Sequence, residues 1–173
     1  MYERFYYIWT IGCQMNKAES ERISSGLEHL GWTRTSETDN ADLIILNSCV
    51  VRQSAENRVK NKLDYLKGLK KQKPELKLAL TGCLVGTDTD SLKDKFPYID
   101  FLFSPGEIPS FLYDVSSTNL LPLKPAVASY VSIIQGCDNF CSYCIVPYRR
   151  GREKSRLPQE IIDEAAILAG RGG

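Results

Sequence analysis

The sequence predicts an α/β fold over residues 1–114, in which a parallel sheet is flanked by helices. Apolar runs of strand type alternate along the chain with amphipathic stretches of helical type, and this order is typical of parallel sheets. Residues 42–47, Asp-Leu-Ile-Ile-Leu-Asn, are an almost continuous apolar run. Such a run indicates a central strand that helices cover on both faces.

The first part of this unit begins with a strand and a capped helix. Asn16 is a suitable N-cap, Glu19 stands three residues later as its capping-box partner, and Gly31 is a suitable terminator. These residues predict where the helix begins and ends. The elements predicted before the central strand are strands at residues 5–11 and 32–35 and a helix at residues 16–30.

The second part of the unit follows the central strand. Charged residues alternate with apolar ones at helical spacing after Gln53, and Pro74 ends this pattern. The predicted elements are helices at residues 54–72, 91–95 and 108–113 and strands at residues 76–81 and 99–103.

A change of composition separates this unit from the rest of the chain. Residues 115–127 are rich in Ser, Thr, Asn and Pro without periodicity, which is typical of a linker between domains. A new strand is predicted at residues 128–134, and a helix opens near residues 157–158 and runs to residue 169. The predicted domains are therefore residues 1–114 and 128–173, joined by the linker.

Charge and hydropathy exclude several classes of protein. Lys and Arg number 22 against 21 Asp and Glu, so any site for a polyanion must be local. The start of the chain lacks the pattern of a secretory signal, and no run reaches membrane-spanning length. We therefore predict a cytoplasmic protein without membrane contact. In that reducing compartment its six cysteines favour metal binding or catalysis over disulfides.

Three cysteines lie close together in the second unit. Cys137, Cys141 and Cys144 are spaced as C-x₃-C-x₂-C directly after the predicted strand. Three thiolates on one loop can hold three irons of a [4Fe–4S] cluster and leave the fourth iron open. A zinc site and free thiols are the alternatives. Zinc requires a fourth ligand, and the only histidine, His29, lies far away in the first unit.

The other three cysteines are scattered in sequence but share a topological position. Cys13, Cys49 and Cys83 each follow one of the strongest predicted strands. The carboxyl ends of parallel strands meet at one edge, where ligands bind in α/β folds. This placement favours a second three-cysteine cluster. The alternative is that each thiol is an ordinary small buried side chain.

Four cysteine motifs together resemble the radical S-adenosylmethionine methylthiotransferases. They are Gly-Cys-Gln-Met-Asn at 12–16, Asn-Ser-Cys-Val-Val-Arg at 47–52, Thr-Gly-Cys at 81–83 and Gly-Cys-Asp-Asn-Phe-Cys-Ser-Tyr-Cys at 136–144. The match runs along the whole chain. Within the family, it is most similar to the branch that methylthiolates C2 of isopentenyladenosine beside the anticodon of tRNA.

The resemblance implies two cofactors and a role for each cysteine trio. Cys13, Cys49 and Cys83 would bind an auxiliary [4Fe–4S] cluster that carries sulfur in a flavodoxin-like domain. The second trio would bind the radical-generating [4Fe–4S] cluster, which cleaves S-adenosylmethionine, and Tyr143 matches the aromatic position beside the adenine of that cofactor. An electron donor such as flavodoxin or ferredoxin is also implied, and we expect a monomer.

The resemblance also implies an incomplete second domain. Family members continue beyond this point to complete a partial barrel, so residues 128–173 are expected to be its first βα unit, and the chain a fragment without activity of its own. Alternative functions are methylthiolation of a ribosomal protein side chain, methylthiolation of another tRNA adenosine, or a non-catalytic metal-binding module.

A short basic segment follows the second cysteine trio. Its arginine forks are suited to the phosphates of tRNA, although a solvated loop with salt bridges to Glu153 explains the charges equally well. The candidate nucleic-acid contacts are Arg149, Arg150, Arg152, Lys154 and Arg156.

Overall fold

A five-stranded parallel sheet is the centre of the computed structural model, which describes residues 3–50, 53–86 and 89–173. The strand order is β2-β1-β3-β4-β5, and all neighbours run parallel. This is the flavodoxin-like order, so the predicted α/β class is confirmed. The strands are β1 (Arg4–Thr10), β2 (Trp32–Arg34), β3 (Leu43–Ser48), β4 (Lys77–Gly82) and β5 (Phe101–Leu102).

Helices cover both faces of this sheet. Every residue of β3 is buried, as the apolar run predicted, and its side chains alternate between two cores. Ile45 faces the core beneath the first helix, whereas Ile44 and Leu46 face the core beneath the second. The helices are α1 (Gln14–His29), α2 (Gln53–Gln72), α3 (Asp90–Lys95), α4 (Val146–Arg150) and α5 (Pro158–Gly170). No helix in the described parts of the chain combines the length and apolarity needed to cross a membrane.

The start of α1 differs from the prediction. The N-cap is Cys13, and Asn16 lies at the third helical position, from which its Oδ1 accepts a hydrogen bond from the Cys13 backbone N–H at 3.3 Å. Asn16 therefore caps the helix from inside it, so the prediction of Asn16 as N-cap was wrong. Glu19, the predicted capping-box partner, instead binds Arg150.

The region after β5 is less regular than predicted. The helix predicted at residues 108–113 is a 3₁₀ turn, Ser110–Leu112. Part of the predicted linker forms a second 3₁₀ turn, Ser117–Leu120, and its Leu120 is buried in the core beneath α1. This leucine anchors the segment to the first unit because its side chain contributes to that core.

The second unit contains a small antiparallel ribbon instead of a long strand. Of the strand predicted at residues 128–134, only the last residue lies in β6 (Ile134–Gln135), which pairs with β7 (Lys154–Ser155). The second cysteine trio and α4 lie in the chain segment between the two strands of this ribbon. The assignment of residues 128–173 to the start of a barrel stays a prediction. The helix predicted from residues 157–158 to residue 169 is present as α5.

Candidate metal centre

The first cysteine trio lies at the carboxyl edge of three adjacent strands. Thr10 pairs with Asn47 across β1 and β3, and Ser48 pairs with Gly82 across β3 and β4. Cys49 and Cys83 directly follow Ser48 and Gly82, and Cys13 lies three residues after Thr10. The register therefore brings all three cysteine-bearing loops to one edge of the sheet.

The loops approach one another closely. A Cβ atom added to Gly12 would lie 3.0 Å from Cys49 Cβ, and Cys83 N donates a hydrogen bond to Ser48 O at 2.8 Å. Cys13 and Cys49 line a shared cavity of about 420 Å³ beside the start of α2. Cys49 and Cys83 are buried and Cys13 is exposed.

A buried polar network fixes these loops. Asn16 is fully buried, and its Nδ2 donates to Asn47 Oδ1 at 2.7 Å and to Ser48 O at 3.1 Å. Asn16 Oδ1 in turn accepts a hydrogen bond from Cys13 Sγ at 3.3 Å. The Ser48 hydroxyl donates to Thr81 O at 2.7 Å. The network connects the ends of β1, β3 and β4 through side chains that sequence analysis had not assigned to the site.

Replacing Asn16 with alanine is expected to lower the free energy of unfolding by about 2–3 kcal/mol, because Asn47 Oδ1 and Ser48 O each lose a buried donor. Urea denaturation of the metal-free chain, followed by circular dichroism, measures this change. Asn40→Ala is the matched control, since Asn40 is exposed and bonds only at the surface with Glu37, and it is expected to cost less than about 0.5 kcal/mol. Equal effects of the two substitutions would contradict the assigned role of Asn16.

Arg150 connects this edge to the second unit. Only 8% of the residue is exposed, and its Nη1 lies 2.7 Å from Glu19 Oε1 in an ion pair. Burial raises the pKa of the Cys83 thiol, and the positive charge of Arg150 opposes that rise. For Arg150, burial alone would lower the pKa, but the bond and charge of Glu19 outweigh it, so the net pKa is raised.

The second trio lies on the loop between β6 and α4. Cys137 N donates to Gly151 O at 3.2 Å, and Cys144 N donates to Cys141 O at 2.9 Å, so backbone bonds hold the loop at both ends. Cys141 is exposed, while Cys137 and Cys144 are half-buried. The three thiols therefore remain accessible from one open loop.

Phe140 gives this loop an unusual backbone. Its φ is +46°, the only positive φ at a non-glycine residue within the described ranges. The ring contacts Tyr148 edge-on at 5.8 Å, and the Arg152 guanidinium lies 5.3 Å from its centroid. A left-handed conformation costs about 1–3 kcal/mol and persists where surrounding contacts hold it, often at functional loops. These contacts fix the strained residue between Cys137 and Cys141.

The donor chemistry suits an iron–sulfur cluster at each trio. Each set offers three thiols and no nearby histidine, since the His29 ring bonds to Asn119 at 2.9 Å on the surface. Across residues 3–50, 53–86 and 89–173, no three Cys, His, Asp or Glu side chains are grouped closely enough for a single metal ion. A cubane [4Fe–4S] cluster binds each thiolate through a separate iron, so three cysteines can hold it without a fourth protein ligand.

The other predicted site residues are mostly on the surface. Tyr143 is 91% exposed beside Cys144. In the basic segment, Arg152 pairs with Asp138 at 3.0 Å and Arg156 pairs with Glu164 at 2.6 Å. The internal salt bridges therefore use partners other than the expected Glu153. Contact of this segment with nucleic acid stays a prediction, and the structure turns Arg150 away from solvent.

Fold and site together define an α/β protein that carries one cysteine trio at the carboxyl edge of its sheet and a second on an adjoining loop. Residues 5–104 match the family model described as Uncharacterized protein family UPF0004. The chain belongs to this family.

Curated relatives match most of the chain. A tRNA-2-methylthio-N(6)-dimethylallyladenosine synthase of Dehalococcoides mccartyi is 54% identical over 167 residues, which cover 96% of this chain and 40% of that protein. Proteins of the same name from Dictyoglomus thermophilum and Chloroflexus aurantiacus are 41% and 40% identical, over 96% and 98% of this chain and 42% and 39% of theirs. The chain thus spans about 40% of the length of these relatives, and the resemblance to methylthiotransferases is confirmed.

Among solved structures, a putative pilus assembly-related protein from Burkholderia pseudomallei K96243 aligns with a TM-score of 0.43 and 13% identity. The alignment covers 68% of this chain and 89% of that one. A likeness at this level carries no functional conclusion.

Proposed function

We propose that this chain forms part of a radical S-adenosylmethionine tRNA methylthiotransferase that acts on C2 of isopentenyladenosine. In this proposal residues 1–114 are the auxiliary-cluster domain and residues 128–173 begin the radical domain. The observation that carries the proposal is the meeting of Cys13, Cys49 and Cys83 at the ends of three adjacent strands. The names of the relatives support the choice of tRNA over a ribosomal protein.

Each part of the chain has a defined task in this proposal. The first trio and the second trio would each hold a [4Fe–4S] cluster, and when bound these clusters supply the sulfur and the electron that cleaves S-adenosylmethionine. Asn16 orients the Cys13 loop through its hydrogen bonds to the Cys13 backbone and thiol. The exposed ring of Tyr143 is free to stack against an adenine.

Anaerobic reconstitution of the 173-residue chain with iron and sulfide is expected to yield about eight irons per chain, four for each trio. Cys49→Ala and Cys137→Ala are each expected to reduce the iron content to about four, because each removes a ligand from a different cluster. Iron analysis with electron paramagnetic resonance measures both values.

Two outcomes of this experiment would contradict the proposal. A content of about one metal per trio would indicate zinc-type sites. Loss of all iron in either single variant would show that the trios do not bind independent clusters. Phe140→Gly is a useful comparison, because glycine adopts the positive φ of this position without strain and no ligand is removed.

The substrate is tested in the complete enzyme. A strain that lacks the gene is expected to lose 2-methylthio-isopentenyladenosine and to retain isopentenyladenosine, as measured by mass spectrometry of bulk tRNA. Reintroducing the intact gene should restore the modification, whereas a Cys137→Ala copy should not. If the tRNA were unchanged and a ribosomal protein lost a methylthio group, the alternative branch would be correct. A Cys137→Ala copy that restored the modification would favour a non-catalytic module.

A further inference from the structure

Two groups of basic residues lie near the candidate metal centre, and they differ in how their charges are paired. In the segment of residues 149–156, three of the five basic side chains form ion pairs with carboxylates. The partners are Glu19 at 2.7 Å, Asp138 at 3.0 Å and Glu164 at 2.6 Å. A charge that is neutralised within the protein attracts an external polyanion less strongly, because the partner carboxylate repels that polyanion.

The second group lies on α2. This helix holds six Lys and Arg against two Asp and Glu, whereas the whole chain has a net charge of only +1. The helix is therefore strongly basic, and the remainder of the chain is net negative. A local excess of positive charge gives a nearly neutral protein one surface that attracts a polyanion.

Most of the positive charge on α2 has no carboxylate partner. Lys60 pairs with Glu56 at 2.8 Å, and Lys70 pairs with Asp100 at 2.6 Å. The other four cations of the helix form no ion pair within the described parts of the chain. These four are Arg58, Lys62, Lys67 and Lys71. Their charges are available to a ligand.

Arg58, Lys62 and Tyr65 form a basic strip along one side of α2, because positions three and four residues apart lie on the same side of a helix. The Lys62 ammonium lies 4.9 Å from the centroid of the Tyr65 ring and 5.3 Å from that of Tyr7 on β1. Aromatic faces hold a cation in place without neutralising it. Tyr65 is itself 47% exposed, so an aromatic surface lies beside the two positive charges.

The basic strip begins at the candidate metal centre. Arg58 lines the cavity of about 420 Å³ that Cys13 and Cys49 also line. Lys62 and Tyr65 follow about 6 Å and 10 Å further along the helix axis, at about 1.5 Å per residue. A nucleic-acid strand whose phosphates contact this strip therefore passes beside the cavity.

We propose that the basic strip binds the phosphate backbone of the substrate RNA beside the auxiliary site. This inference rests on the proposed function, because a tRNA methylthiotransferase must bring its RNA close to the cluster that carries sulfur. The guanidinium fork of Arg58 suits one phosphate, and the Lys62 ammonium supplies a second positive charge. The exposed ring of Tyr65 offers a face on which an unpaired base can stack.

The test measures how the reconstituted 173-residue chain binds a fluorescein-labelled anticodon stem–loop RNA. Fluorescence anisotropy at several salt concentrations gives the affinity and its salt slope, which reports the number of phosphate contacts. The test variant is Arg58→Gln with Lys62→Gln. Its matched control is Lys67→Gln with Lys71→Gln, which removes the same charge. Each control position lies nine residues after a test position, and hence on the opposite side of the same helix.

The test variant is expected to reduce the magnitude of the salt slope by about 2 and to weaken binding by about tenfold or more. The control variant should change both values much less. Arg58→Lys with Lys62→Arg, which keeps both charges, should retain the salt slope of the parent. Retention of the slope would show that the test variant acts through lost charge and not through a change in folding.

Two results would overturn the inference and leave the proposed function intact. Equal effects of the test and control variants would show that the RNA responds only to the net charge of α2. If the parent chain did not bind the RNA, an acidic protein would be the partner that fits the strip. The proposed function is tested separately, since a deletion strain with unchanged tRNA would refute it and this inference with it.

Discussion

Gly82→Ala is expected to lower the free energy of unfolding by about 3–5 kcal/mol. Gly82 has φ +92°, a conformation that L side chains rarely adopt. A Cβ atom at this position would also lie 2.5 Å from Ser48 N and 2.6 Å from Asn47 Oδ1. Backbone atoms of β3 cannot move away without breaking the pairing of Ser48 with Gly82. Urea denaturation of the metal-free chain measures the loss.

Gly68→Ala is the matched control for this substitution. Gly68 lies within α2, and a Cβ atom added there would meet no other atom within 4 Å. Alanine favours helix over glycine by about 0.5–1 kcal/mol, so the control variant should be more stable than the parent. If Gly82→Ala lowered the free energy of unfolding by less than about 1 kcal/mol, β3 and β4 would not approach each other as closely before Cys49 and Cys83 as the structure shows.

The same glycine shows why part of the site was predictable. Its position directly before Cys83 follows from the end of an apolar run, and strand ends are readable from sequence because burial on both faces demands apolar residues. The parallel order of these runs then places the three cysteines at one edge. Spacing between strands in sequence does not give the register, however. The alignment of Ser48 with Gly82 appears only once the strands pair.

The irregular second unit shows where sequence patterns are insufficient. Residues 128–134 have the composition of a strand, yet only Ile134 lies in β6. A strand requires a partner for its backbone hydrogen bonds, and in the described structure that partner is the two-residue β7. Local sequence does not reveal how many residues a partner provides, so the length of the strand could not be predicted.

The contacts of Arg150 could not be predicted for a different reason. The arginine and Glu19 are separated by 131 positions in the chain. A run of basic residues in sequence is most often a solvated surface, and no local signal distinguishes Arg150 from Arg149 or Arg152. Tertiary packing determines which of these arginines is buried. Helix α4 lies on the loop after Cys83, and its last residue, Arg150, reaches Glu19.

Glu19→Ala is therefore expected to lower the free energy of unfolding by about 3–5 kcal/mol. The substitution leaves the Arg150 guanidinium buried without its carboxylate, and an uncompensated buried charge is among the most costly defects in a protein interior. The effect should be measured by urea denaturation of the metal-free chain, so that loss of metal does not contribute to it.

Two further variants separate the cost of an unpaired charge from the loss of the Glu19 side chain itself. Glu21→Ala on the exposed face of α1 should change the stability by less than about 0.5 kcal/mol. The double variant Glu19→Leu with Arg150→Met should recover most of the loss, because apolar side chains of similar volume can replace a buried ion pair. If the double variant were as unstable as Glu19→Ala, the stability would come from packing around Glu19 and not from its pairing with Arg150. The ion pair would then be a consequence of how α4 rests on the sheet edge, not the contact that holds it there.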